Sequence, residues 1–192
     1  MGDDEITRLA RAAGRGDAAA TTAFIRRTQP DVWRYVAYIA GREHADDLTQ
    51  ETYLRALGSL AGYRGETAAL TWLMSIARRT AMDHFRRRRR TPMVVDDVGG
   101  IGSGARAGSS PDPAGELALR SLIERLDPDR RAAFVLTQLL GFPYAEAAIA
   151  CGVPIGTVRS RVARAREDLA RWVGAAEVEE PTRAQSASRA HI

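Results

Sequence analysis

Lysine is absent from the 192-residue chain: all 28 basic side chains are arginine. Cysteine occurs once, as Cys151, which excludes an internal disulfide framework and a cysteine-based zinc site. No apolar run approaches the roughly 20 residues of a membrane span. The opening Met1-Gly2-Asp3-Asp4-Glu5 lacks the basic and apolar stretches of a secretion signal. The chain is therefore expected in the cytoplasm, without insertion into a membrane. Strand-like alternation and β-branched clusters are missing as well. So are a glycine-rich phosphate loop and a nucleophile with a base and an orienting partner. The expectation is no enzyme, no cofactor and no small-molecule substrate. What is present is 45% hydrophobic and 27% charged residues, the composition of a globular protein.

The net charge of +4 is unevenly placed. Residues 1–90 hold 16 arginines against 11 acids, and residues 116–173 hold 9 against 7. Residues 91–115 reverse the balance, with 1 arginine against 3 acids (Asp96, Asp97, Asp112). That stretch, rich in Gly, Ser, Pro and Asp, buries too little apolar surface to offset its ordering entropy. It divides the chain into a domain over 1–90, a flexible linker over 91–115, a domain over 116–173 and a disordered tail over 174–192. Each domain is expected to have its own small core. Basic domains with acidic joints suit a nucleic-acid partner.

Both domains read as helical. A helix opening at or near Asp17 carries Phe24, Val32, Trp33, Tyr35, Val36 and Ile39 to Gly41. A second begins near His44 and ends at Gly58. Thr67 is placed as the cap of a long helix with Leu70, Leu73, Ile76, Ala77, Ala81 and Phe85 at helical spacing. Leu119, Leu122, Ile123 and Leu126 form one apolar face in the second domain, followed by Asp127-Pro128 as N-cap and first residue of the next helix. The fold class is all-α.

Residues 143–172 describe two helices around a short turn. Gly152 supplies the left-handed end of the first, and Pro154 fits the first turn of the second. This is a helix-turn-helix pattern. Val158, Val162, Ala165 and Leu169 face inward by spacing. Thr157, Ser160, Arg161 and Arg164 share the opposite side, flanked by Arg159 and Arg166. Short hydroxyls beside arginines at a helix N-terminus match base-edge reading in a major groove.

In the first domain, Asp47, Gln50, Glu51 and Arg55 share a polar face while Leu48, Leu54 and Leu57 are expected to lean inward. His44, Asp47 and Glu51 also sit at i, i+3, i+7, the spacing of a metal half-site. With no second cluster nearby they read as a solvated face, so no metal is expected. Five adjacent arginines, Arg86 to Arg90, cannot all touch one duplex; two or three are expected to reach phosphates, which set affinity and register without choosing sequence.

Three segments carry a family resemblance. Gly156 to Arg166, GTVRSRVARAR, closely resembles the promoter-reading helix of the extracytoplasmic-function (ECF) sigma factors of the sigma-70 family, small specificity subunits of bacterial RNA polymerase. Asp46 to Ala56, DDLTQETYLRA, resembles the family's polymerase-docking helix. The segment from Thr71 to Phe85 with Arg86–Arg90 resembles its minus-ten helix, although Arg79 stands where the family commonly has asparagine. The resemblance implies recognition of the minus-thirty-five element by Thr157, Arg159, Ser160, Arg161, Arg164 and Arg166. It implies binding of the polymerase β′ clamp helices by Asp46, Asp47, Gln50, Glu51 and Arg55. Minus-ten contacts fall to Tyr63, Arg64, Trp72, Arg78, Arg79, Arg86, Arg87 and Arg88. The loop over 63–67 would receive a flipped-out base, with Tyr63 and Trp72 as stacking surfaces. Core RNA polymerase, promoter DNA and an anti-sigma factor are the implied partners. Two other readings remain open here: a polymerase-independent helix-turn-helix regulator, and a helical metal-dependent hydrolase resting on His44, Asp47 and Glu51.

Overall fold

The computed structural model describes residues 2–90 and 113–187, with side chains for 4–87 and 115–175. The linker expected over 91–115 lies outside the described residues up to Asp112. Pro113 already opens a helix.

Every regular element among the described residues is helical. The first part contains α1 (Gly2–Gly14), α2 (Ala18–Ala40), α3 (Ala45–Ser59) and α4 (Ala69–Arg90). The second contains α5 (Pro113–Glu124), α6 (Pro128–Phe134), α7 (Tyr144–Cys151) and α8 (Ile155–Ala187). Leaving α6, Val135–Leu139 widen into a π-helical turn.

Caps set several of these boundaries. The Asp17 carboxylate accepts from the Ala20 amide at 2.9 Å. Asp127 accepts from the amides of Asp129 and Arg130 at 3.0 and 3.3 Å, with Pro128 at the start of α6. Each satisfies donors that a helix start leaves open. Gly152 ends α7 in the left-handed region at φ +66°, where a Cβ would be strained.

Three local expectations are corrected. The start of α4 is capped by Thr7 of α1, whose Oγ1 accepts from the Ala69 amide at 3.1 Å, whereas Thr67 uses its carbonyl to accept from the Tyr63 hydroxyl. Leu54 and Leu57 point outward, 67% and 39% exposed. The face of α3 that packs inward is Ala45, Leu48, Thr49, Thr52, Tyr53 and Ala56. Finally, α8 continues to Ala187, through the first part of the tail expected to be disordered. Alanine and glutamate, frequent after Gly174, are strong helix formers.

The two parts also share one continuous buried cluster instead of keeping separate cores. Helix α4 packs on α7, and α2 meets α5 and α6. Two arginines of the second part close the C-terminal end of α2. Arg131 donates to the Ile39 carbonyl at 2.8 Å and Arg120 to the Ala37 carbonyl at 3.3 Å. A helix end presents unpaired carbonyls and partial negative charge, so cations are favoured there. Arg120 additionally lies over the Tyr38 ring at 4.6 Å.

Candidate nucleic-acid interface

The helix-turn-helix is made by α7, the tight turn at Gly152 and α8. Val158, Val162 and Ala165 are buried, and their burial fixes which side of α8 faces away. On that other side Arg159, Ser160 and Arg164 are exposed, while Thr157 is half-buried. The Ser160 hydroxyl donates back to the Thr157 carbonyl at 3.0 Å. Arg166, also exposed, donates to the Gln138 side chain at 2.5 Å. Arg161 differs from its neighbours: its Nη2 pairs with Asp129 at 2.8 Å.

A second basic surface follows α4. Arg78 is half-buried and pairs with the other oxygen of Asp129 at 2.6 Å. One carboxylate thus holds an arginine from each of the two basic helices. Thr71 of α4 donates to Glu146 of α7 at 2.6 Å, a second polar link beside the first. Arg79 is exposed and its Nε donates to the Ser75 carbonyl at 3.2 Å. Arg86 and Arg87 are exposed, with long ion pairs to Asp83 at 3.7 Å and Glu51 at 3.5 Å. Such exposed pairs contribute little, about 0–1 kcal/mol, and leave these arginines available to phosphates. The Arg88 side chain lies outside the described residues.

At the loop before α4, Arg64 is exposed. Tyr63 and Trp72 pack on each other, ring centroids 5.1 Å apart and tilted by 39°. Both are half-buried, so each has one face already occupied.

On α3 the carboxylate of Asp46 accepts from the Trp33 indole at 2.8 Å. Arg55 bridges Glu51 at 2.5 Å and Asp83 of α4 at 3.1 Å, so this pair fastens α3 to α4. The outermost strip of α3 is instead Asp47, Gln50, Leu54 and Leu57, all exposed, spaced i, i+3, i+7, i+10 along one edge. It joins a carboxylate and an amide to two leucines. The sequence reading found the polar half of this strip and missed its apolar half.

Cys151 is buried, and that burial pushes its thiol above the ordinary value. It has little thiolate character and packs as a small apolar group. Asp129, Arg120 and Arg131 were not singled out from sequence. Asp129 stood two residues after a cap and was covered by it. Among the described residues no group of three or more potential ligands could hold a metal ion, and no helix is long and apolar enough to cross a membrane.

Comparison with known proteins bears on these surfaces. The family model described as Sigma-70 region 2 matches residues 24–91, and Sigma-70, region 4 matches residues 116–169. The chain is 44% identical over 169 residues to the ECF RNA polymerase sigma factor SigC of Mycobacterium tuberculosis, covering 87% of this chain and 90% of that one. The sigma factor RpoE of Bartonella quintana, solved in complex with the anti-sigma factor NepR, superposes with a TM-score of 0.66 at 25% identity, covering 80% of this chain and 96% of that one. CnrH, solved with the cytosolic domain of CnrY, is alike in fold, with a TM-score of 0.68 at 24% identity over 89% of this chain and 98% of that one. With both sigma regions in order and a SigC-like relative matched over nearly its whole length, the chain belongs to the ECF sigma factors of the sigma-70 family, the promoter-specificity subunits of RNA polymerase.

Proposed function

We propose that this sigma factor divides its work by helix. The α8 face of Thr157, Arg159, Ser160, Arg161, Arg164 and Arg166 reads the minus-thirty-five element. The α4 surface, with the loop before it, binds the minus-ten element and supports its opening. Asp47 and Gln50 of α3 dock on the β′ clamp helices together with Leu54 and Leu57, while Asp46, Glu51 and Arg55 hold that helix in place. The observation that carries this reading is the two-sided α8: Val158, Val162 and Ala165 are buried, which turns Arg159, Ser160 and Arg164 outward behind a glycine turn. Arginine forks and short hydroxyls so presented suit base edges, roughly 1–3 kcal/mol of discrimination per good bidentate pair.

In this reading the protein works in the cytoplasm, carries no catalysis of its own and lends specificity to the polymerase. The neighbour RpoE, bound to an anti-sigma factor, supports a similar inhibitory partner here. The test is run-off transcription with purified core polymerase. Initiation is expected to depend on this protein and to fall at least tenfold with Asp47→Arg, while Arg164→Ala weakens promoter choice without loss of core binding. Sequence-specific duplex binding that needs no core, with no initiation in its presence, would favour an independent regulator.

A further inference from the structure

The chain leaving α6 does not close on ordinary α-helical bonds. The Leu140 amide donates to the Val135 carbonyl at 3.0 Å, within the wide π-type turn of Val135–Leu139. Such turns are rare and frequently lie beside functional sites. Thr137 and Gln138 sit side by side in it, the first buried and the second half-buried. Their hydrogen bonds run in one sense. The Thr137 hydroxyl donates to the Ala133 carbonyl at 2.8 Å, so it meets Gln138 as an acceptor. Gln138 Nε2 donates to it at 2.9 Å and directs its other hydrogen to the Tyr144 hydroxyl of α7 at 3.4 Å. The amide is thereby oriented, and its Oε1 is left to accept. It receives Nη2 of Arg166, from α8, at 2.5 Å.

This restraint differs in charge from those on the other arginines around α8. Arg161 ends on Asp129 at 2.8 Å, and Arg130 and Arg171 end on Asp168 at 2.7 and 3.4 Å. A carboxylate offsets the charge of the arginine it holds. Arg166 is exposed and is held by a neutral amide. Its direction is set while its charge remains, and this bond uses one of the five donors a guanidinium offers. A guanidinium presented in this way suits phosphate, which accepts both charge and paired N–H donors. A base edge is the poorer target. Arg166 stands about three turns into α8, and base contacts come from the N-terminal residues of a recognition helix. Ordering a long side chain in advance lowers the cost of binding through it.

We infer that Gln138 is a positioning residue for promoter binding: it aims the Arg166 guanidinium at a backbone phosphate of the minus-thirty-five duplex before the DNA arrives. Gln138 acts through Arg166 and carries no sequence information, so base choice stays with Arg159, Ser160 and Arg164. This rests on the reading that α8 meets the minus-thirty-five element.

The experiment uses holoenzyme, core polymerase saturated with the full chain. The probe is a promoter duplex that the wild-type holoenzyme selects from a library randomised at the minus-thirty-five positions. Affinity is measured across a series of salt concentrations. Arg166→Ala should weaken binding and make the logarithmic salt dependence shallower by about 0.9, the slope of one phosphate contact. Gln138→Met is close in size and lacks the acceptor. It should bind roughly two- to tenfold more weakly, the range for ordering one long side chain, with the wild-type slope. Placed on top of Arg166→Ala, it should cause no further loss. Gln138→Glu keeps an acceptor but offsets the charge, and should bring the slope toward that of Arg166→Ala. A Gln138→Met loss that persists in the Arg166→Ala background marks a merely structural role and overturns the inference. Full affinity in Gln138→Met, or a wild-type slope in Gln138→Glu, overturns it as well. Arg164→Ala separates this inference from the reading beneath it. If Arg164→Ala weakens promoter binding and Arg166→Ala does not, the inference fails alone; if neither does, the reading of α8 fails with it.

Discussion

Two hydroxyl groups show how single residues hold the first part together. Thr7 Oγ1 receives the Ala69 amide from 62 positions along the chain, so the start of α4 depends on α1. Thr7→Ala should lower stability by about 1 kcal/mol, the usual worth of a helix cap, read as a fall in melting temperature. Thr67→Ala should cost clearly less, because only the Thr67 backbone carbonyl is engaged. An equal loss for both would return the cap to Thr67. The Thr28 and Tyr53 hydroxyls lie 2.6 Å apart in the interior. Burial pushes the Tyr53 phenol from its ordinary 10.0 up to about 12, partly countered by the Thr28 hydrogen bond. Its folded value is raised, so the neutral form is the stabilised one. The contribution is complete below pH 10 and is lost as pH rises through about 12. Tyr53→Phe should therefore move the alkaline unfolding midpoint upward, even while it weakens the protein at neutral pH by leaving Thr28 without this partner. An unchanged or lower midpoint in a denaturation series at fixed temperature would show that Tyr53 does not govern the transition.

Among the elements, α3 separates two demands on one helix. Its inward face is Ala45, Leu48, Thr49, Thr52, Tyr53 and Ala56, with the Thr52 hydroxyl satisfied on the Leu48 carbonyl at 2.7 Å. Small and hydroxylated residues do the packing there, which frees Leu54 and Leu57 for the surface. Leu54→Glu should leave the melting temperature nearly unchanged, since the side chain is 67% exposed. It should weaken binding of core polymerase by about tenfold if the leucine enters an apolar contact worth roughly 1–2 kcal/mol, measured by titrating labelled protein into core. Undiminished affinity would confine docking to the polar residues. The same helix shows what the sequence does and does not reveal. The helices from α2 onward, the start of α2 at Asp17, the Asp127 cap, the Gly152 turn and the inward side of α8 follow from local chemistry, and all were legible. The inner face of α3 was not, because its threonines score as polar and its outward leucines as core. Helix α1 was missed although Ile6, Leu9, Ala10 and Ala13 keep helical spacing; its acidic start and small residues hid the stripe. The arginine-rich faces were legible as charge, but which arginines stay free depends on Asp129, whose partners Arg78 and Arg161 lie far from it in sequence.

At the scale of the molecule, the two basic surfaces meet instead of facing outward together. Arg78 of α4 and Arg161 of α8 end on the two oxygens of Asp129, and a duplex that engages both arginines must displace that carboxylate. The junction is not fully satisfied. Arg78 Nε and Arg161 Nη1 are buried with no hydrogen-bond partner among the described residues, and each such donor costs about 1–3 kcal/mol. Asp129 itself is 44% exposed, so its attraction to the arginines is screened by salt. An interface of this kind favours contact at low ionic strength and yields readily when a stronger anion competes. Asp129→Ala removes the shared counter-charge and leaves two arginines facing each other, so the halves should separate. The expected result is a larger radius of gyration in solution scattering, with firmer binding of duplex DNA in the absence of polymerase. Asp129→Asn keeps the shape and loses the charge, and should fall between the two. Raising the salt should expand the wild-type protein toward the Asp129→Ala radius while changing the variant little. If the variant stays as compact as wild type and binds duplex no better, then Asp129 is not what joins the halves, and the arginine pairs to the α2 carbonyls at Ala37 and Ile39 carry the closure instead.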